Sequence, residues 1–165
     1  MRKLNVLLFA LLAAAIWACT GSSEGRIYVA DDANVLTASQ RDSLVAELKD
    51  LESRIGSQMA IKVIDSLGDA TVESYAANLA ETWKLGRESY NDGIVIVVSI
   101  TDKKIRIEVG SGLEQIITNG VCTRIIGGEM APLFREEKYF DGLMLAVQEI
   151  KGLIAGNTGL IGKPA

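Results

Sequence analysis

The chain has no histidine and only two cysteines, Cys19 and Cys122. That excludes Ser-His-Asp and Cys-His catalysis, a phosphohistidine intermediate, and Cys₄ or Cys₂His₂ zinc sites. Chemistry is left to carboxylates, lysine, tyrosine, one thiol, or a metal held by oxygens. Two glycine-rich turns carry acidic residues of the right kind, Asn91-Asp92-Gly93 and Gly110-Ser111-Gly112-Leu113-Glu114. Hard oxygen donors on turn backbone suit calcium or magnesium, and glycine lets carbonyls and amides approach closely. Asp92, Glu114 and the Asn91 carbonyl are the candidate ligands, although Asn-Asp-Gly is equally a common turn sequence. A second acidic pair, Asp31-Asp32, precedes a helix and reads first as turn formation or favourable charge near a helix N-terminus.

The elements that must position these residues follow from hydrophobic spacing. Leu44, Leu48, Leu51 and Ile55 recur at helical period over 37–55. Thr37 and Gln40 form a capping-box pattern, and Gly56 is a stop. Residues 58–64 read as a mostly buried strand. Residues 71–84 read as a helix with Val72, Tyr75, Ala76, Leu79 and Trp83 on one face, Trp83 being taken as core, and with Gly86 ending it. Residues 93–101 are apolar on both faces and β-branched, as a central strand requires. Ile105 to Val109 alternates cleanly, with a tight hairpin between. Two further helices are expected over 121–134 and 139–155, the first weakened by Gly127-Gly128 and Pro132. Cys122 reads as a buried, inert thiol on that first helix, and residues 156–165 as a loose tail.

This order predicts an α/β fold: an α/β/α sandwich with a small mixed β-sheet flanked by helices. A strand–helix–strand unit makes a parallel pair by a right-handed crossover, and the hairpin adds an antiparallel strand. Antiparallel pairing brings the start of the Gly93 strand beside the end of the Val109 strand. Asn91, Asp92 and Glu114 then gather at one end of the sheet, and Asp32 falls at the other, near Asp65.

Other motifs fail on spacing. Gly156 to Lys163 is one residue too long for a phosphate loop, and Pro164 sits where Ser or Thr must bind magnesium. The Gly110 turn lacks the last glycine of G-x-G-x-x-G. Cys122 has no arginine six positions on, and no Asp-x-Asp occurs.

The N-terminus reads as a targeting signal. Arg2 and Lys3 precede an apolar run from Leu4 to Ala18 that is shorter than the roughly 20 residues of a membrane span. Ile16-Trp17-Ala18-Cys19 resembles a bacterial lipobox. That implies a lipoprotein signal peptide over 1–18, cleavage before Cys19, acylation of Cys19 and a lipidated tether over 19–26. The expected location is the cell envelope, with the protein anchored in a membrane through lipid and facing away from the cytoplasm. The formal net charge is −4 and no basic patch is evident, so nucleic acid is not an expected partner.

An ordered series of short matches runs through the chain: Asp32-Ala33 with Val35-Leu36, Ser66-Leu67-Gly68, Trp83-Lys84-Leu85-Gly86 and Asn91-Asp92-Gly93. It continues with Arg106-Ile107-Glu108-Val109-Gly110, Gly112-Leu113-Glu114, Pro132, Phe134, Tyr139 and Asp141-Gly142. In this series residues 27–155 resemble the TPM domain family, which includes a thylakoid-lumen protein of photosystem II repair and bacterial envelope proteins. Ser111 departs from the aromatic residue the family often has there. The resemblance implies the α/β sandwich, calcium binding in some members, acid phosphatase activity in a plant member, and site positions at Asp32, Asp92 and Glu114.

The leading expectation is a lipid-anchored envelope module that binds calcium, with magnesium as the alternative ion, and engages another envelope protein. The runner-up is a metal-dependent acid phosphatase in which a carboxylate-held metal activates water. Arg87 and Arg106 are then the nearest phosphate contacts.

Overall fold

The computed structural model describes residues 25–163. Among these residues the strands and α-helices run in the order β1 (Val29–Asp31), α1 (Ala38–Ile55), β2 (Gln58–Ile64), α2 (Val72–Thr82), β3 (Gly93–Ser99), β4 (Lys104–Val109), α3 (Asn119–Ile125), α4 (Ala131–Arg135) and α5 (Tyr139–Gly156). The four strands form one sheet in the order β1-β2-β3-β4. β1, β2 and β3 are parallel; β3 and β4 are antiparallel, with Ile94 opposite Val109 and Ser99 opposite Lys104. The fold is the expected α/β sandwich.

Local sequence accounts for the element ends. Thr37 caps α1 in a reciprocal capping box with Gln40, and Gly56 closes it in the left-handed conformation at φ 92°. Thr71 caps α2 by accepting the Ser74 N–H. On one face of the sheet Met59, Ile61, Val63, Ile94, Ile96, Val98 and Ile107 meet Leu44, Leu48 and Leu51 of α1 and the apolar face of α5. On the other, Val95 and Val97 meet Val72 and Ala76 of α2. β3 is buried on both faces, which explains its unbroken apolar run.

Three expectations need correction. β1 is absent from the sequence reading, because three residues carry no periodicity. The helix expected over 121–134 starts at Asn119 and is broken by a π turn at Ile126–Met130, where the Ala131 N–H reaches back five residues to the Ile126 carbonyl. Pro132 supplies the reason. It has no N–H, and its ring collides with the carbonyl four residues earlier in a regular helix; one extra residue in the turn relieves both. Finally, residues 156–163 do not trail away: Leu160 and Ile161 pack on the core and the Gly162 N–H donates to the Gly112 carbonyl at 2.8 Å.

The signal peptide, Cys19 and most of the tether lie outside the described residues. Arg26, placed in the tether by its sequence, belongs to the folded domain: it donates to Gln58 Oε1 at 2.7 Å and lies 3.3 Å from Glu52. No helix among the described residues is long and apolar enough to cross a membrane.

Candidate functional site

The end of the sheet where β3 begins and β4 ends does collect Asn91, Asp92 and Glu114, as antiparallel pairing requires. It collects them for different purposes. Asp92 is fully buried. Its Oδ1 accepts the Arg87 backbone N–H at 2.7 Å, and its Oδ2 accepts Arg87 Nε at 2.9 Å, Arg87 Nη2 at 2.5 Å and the Ser57 hydroxyl at 3.1 Å. Four donors saturate this carboxylate, and the guanidinium neutralises it. Arg87 is held in turn over the Tyr90 ring, its guanidinium carbon 4.0 Å from the ring centre. The predicted phosphate contact and the predicted metal ligand are therefore each other's partners.

The glycines around them serve backbone contact. A Cβ on Gly112 would stand 1.7 Å from the Tyr90 carbonyl oxygen, one on Gly110 2.2 Å from the Asn91 carbonyl oxygen, and one on Gly93 2.3 Å from the Leu85 carbonyl oxygen. The Asn91 carbonyl accepts the Gly112 N–H at 3.0 Å, and Asn91 itself adopts φ 48°. The two acidic turns are thus packed backbone against backbone. Gln58 completes the knot by accepting from Arg26 and from the Gly86 N–H, 2.7 Å each, while donating to Glu52 at 3.1 Å. Trp83, expected in the core, is instead half-buried at the C-cap of α2.

Glu114 differs. It is exposed, and among the described residues it makes no hydrogen bond or ion pair. It opens onto a cleft of about 400 Å³ between β4 and residues 114–119, lined also by Arg106, Glu108, Ile117, Thr118 and Asn119. Arg106 donates through Nε (2.9 Å) and Nη2 (2.7 Å) to one oxygen of Glu108, which leaves the other Glu108 oxygen free. Arg106 and Glu108, the polar positions of the alternating β4, are both half-buried.

Asp32 lies at the opposite end of the sheet, beyond the carboxyl end of β1. It pairs with Lys62 at 2.5 Å and cannot share a site with Asp92 or Glu114. Its neighbour Asp31 is buried and accepts the N–H groups of Val35 (3.3 Å) and Leu36 (2.8 Å), which is the turn-forming role expected of the pair. At the same end Asp102 accepts from Ser99 Oγ at 2.6 Å and the Leu67 N–H at 2.7 Å; these bonds hold its carboxyl below the ordinary value. Cys122 is a free, buried thiol, and burial raises its pKa. No group of three or more metal-ligating His, Cys, Asp or Glu side chains occurs among the described residues.

Comparison with known proteins bears on the fold and the family. Chloroplastic UPF0603 proteins of Oryza sativa subsp. indica and subsp. japonica are each 26% identical over 133 residues, covering 78% of this chain and 44% of the rice protein. The chain thus spans less than half the length of these relatives. The solution structure of the N-terminal domain of a P. gingivalis protein superposes with a TM-score of 0.75 at 28% identity, covering 87% of this chain and 90% of that one. The BA42 protein of Bizionia argentinensis shares the fold at a TM-score of 0.63 and 16% identity, covering 77% and 84%. The TPM domain model matches residues 29–153, most of the folded part, and the chain belongs to the TPM domain family.

Proposed function

We propose that this protein is a non-catalytic, lipid-anchored envelope module that takes a divalent cation, calcium foremost, in the cleft beside β4 and engages another membrane protein. One observation carries the reading. Of the predicted side-chain ligands Asp32, Asp92 and Glu114, only Glu114 is left unpaired among the described residues, and it opens onto a cleft. The free Glu108 oxygen and the side-chain oxygens of Thr118 and Asn119 are the further hard donors there. With two carboxylates and the rest neutral oxygens or water, affinity belongs in the weak range of about 10⁻⁴ to 10⁻³ M. Magnesium would use the same oxygens with fewer ligands. The phosphatase reading ranks below this one, since Arg87 and Arg106 both spend their charge on carboxylates.

The test is a calcium titration of the full chain in detergent micelles, followed by amide NMR. Saturable shifts should centre on 106–109 and 114–119 and vanish in Glu114→Gln. Shifts centred on Asp92 or Asp32 would refute the assignment, and no saturable response at millimolar calcium would remove the metal from the proposal. The anchor is tested separately by intact mass of membrane-extracted protein. Loss of residues 1–18 with acyl mass on Cys19 is expected, and an unmodified Cys19 in a soluble fraction would refute it.

A further inference from the structure

The folded domain starts at the end of the sheet where the acidic turns lie. Arg26 donates to Gln58 Oε1 at 2.7 Å, and the same oxygen accepts the Gly86 N–H at 2.7 Å. The Gln58 N–H donates to the Asp92 carbonyl at 3.1 Å, and Asp92 holds Arg87, whose guanidinium lies over the Tyr90 ring. An unbroken run of contacts thus joins the root of the tether to Tyr90. Three large apolar side chains are exposed among the described residues, and two of them sit at this end: Ile27 at 46% and Tyr90 at 44%. We propose that this end of the domain, Ile27 and Tyr90 foremost, lies on the headgroup surface of the bilayer that holds the anchor, a placement that rests on the acylation of Cys19.

Covalent length selects the face. Arg26 follows Cys19 by seven positions. Seven residues span at most about 25 Å when fully extended. A domain formed by residues 25–163 is roughly 37 Å across, for a radius of gyration of about 14 Å. The turns at 65–69 and 101–104 follow the far ends of β2 and β3, opposite Gln58 and Gly93. An anchor rooted beside Gln58 is too short to pass around the domain and set those turns on the membrane. Their chemistry is also wrong for it. They carry Asp65, Asp69, Asp102, Lys103 and Lys104, all exposed, and none of the exposed large apolar side chains.

The near end has the chemistry the headgroup region takes. A tyrosine joins an apolar ring to a polar tip, which suits the boundary between acyl chains and water. Charge does not direct the contact. Among the described residues the unpaired charges at this end are Lys84 and Lys163 against Glu81, Glu88 and Glu114, with no positive excess. Docking therefore draws on apolar burial and on the anchor, not on attraction to anionic lipid. It also brings the Glu114 cleft, at the same end, close to the plane where a membrane partner meets it.

The experiment places the membrane-extracted protein in phosphatidylcholine nanodiscs that contain a lipid with a gadolinium headgroup, and reads loss of amide signal by NMR. Intact mass of the same sample reports the acyl group on Cys19. Loss of signal should be greatest at 26–27 and 84–91, absent at 65–69 and 101–104, and unchanged by added salt. Ile27→Ser with Tyr90→Ser should spread the loss over both ends. Ile27→Ser alone, outside the Asp92 contacts, should weaken the pattern and decides the matter should Tyr90→Ser disturb Arg87. Greatest loss at the far turns or around Leu145, with Cys19 acylated, would overturn the placement and leave the anchor standing. Even loss over all faces would mean a domain that turns freely on its anchor, with Tyr90 left for a protein partner, and would overturn the placement too. An unacylated Cys19 would remove the anchor and the placement together.

Discussion

Substituting Asp92 separates a structural carboxylate from a metal ligand. In Asp92→Asn the side chain keeps its shape but loses its charge, and its amide nitrogen meets donors where the carboxylate had accepted. Three bonds from Arg87 and one from Ser57 are at stake around a group with no solvent exposure. Breaking a buried ion pair costs about 3–5 kcal/mol. The Arg87 side chain is 35% exposed and can regain water, so the lower end, about 3 kcal/mol, applies. For a domain of this size that lowers Tm by roughly 6–12 °C, and at a urea slope of about 2 kcal/mol/M it moves the midpoint by about 1.5 M. Urea unfolding followed by circular dichroism measures the shift. Calcium response, read below the unfolding midpoint, should persist in Asp92→Asn. Glu114→Gln should do the reverse: a midpoint shifted by no more than about 0.5 kcal/mol, as for an exposed side chain, with the calcium response gone. An Asp92→Asn protein as stable as wild type but deaf to calcium would refute the reasoning, because Asp92 would then be a ligand and not a strut.

Other expectations follow from the same contacts. Gly112→Ala should fail to fold or lose several kcal/mol, about 3 or more, because its Cβ would overlap the Tyr90 carbonyl at 1.7 Å. By contrast Gly152→Ala, in an open part of α5, should raise thermal stability by about 0.5–1 kcal/mol, and equal melting temperatures for the two variants would contradict the packing. The Asp102 carboxyl is held low by Ser99 and Leu67, so its stabilisation is present above the ordinary value of 3.8 and lost as pH falls below it. Amide exchange at Leu67 should therefore accelerate on acidification past that point, and Asp102→Asn should show the fast exchange already at neutral pH. Burial keeps the Cys122 thiol protonated, so a maleimide at pH 8 should label it only after urea unfolding; complete labelling of the native protein within minutes would show the site to be open.

The boundaries of β2 and of α1, with its cap and its stop, are legible because each rests on local signals: β-branched runs, a Thr–Gln box, a glycine at positive φ. The neighbourhood of the two acidic turns is legible as well, since antiparallel pairing of β3 and β4 dictates it. β1 is not, because three residues hold no pattern and pair only through the sheet that β2 and β3 create. Nor is the π turn, which arises from Pro132 inside a segment whose packing against α5 forbids it from ending there. The roles of the carboxylates lay beyond reach for the same reason. Asp92, Glu114 and Asp32 are alike as letters beside turns. Arg87 folding back on Asp92, Lys62 reaching Asp32 and nothing among the described residues reaching Glu114 are facts of distance between side chains set by long-range packing. Composition and spacing determined the fold class and the absence of histidine chemistry, because those depend on which residues are present and at what period. Only the tertiary structure decided which carboxylate is a strut and which is open to a ligand, because charge neutralisation depends on which partners lie within about 4 Å.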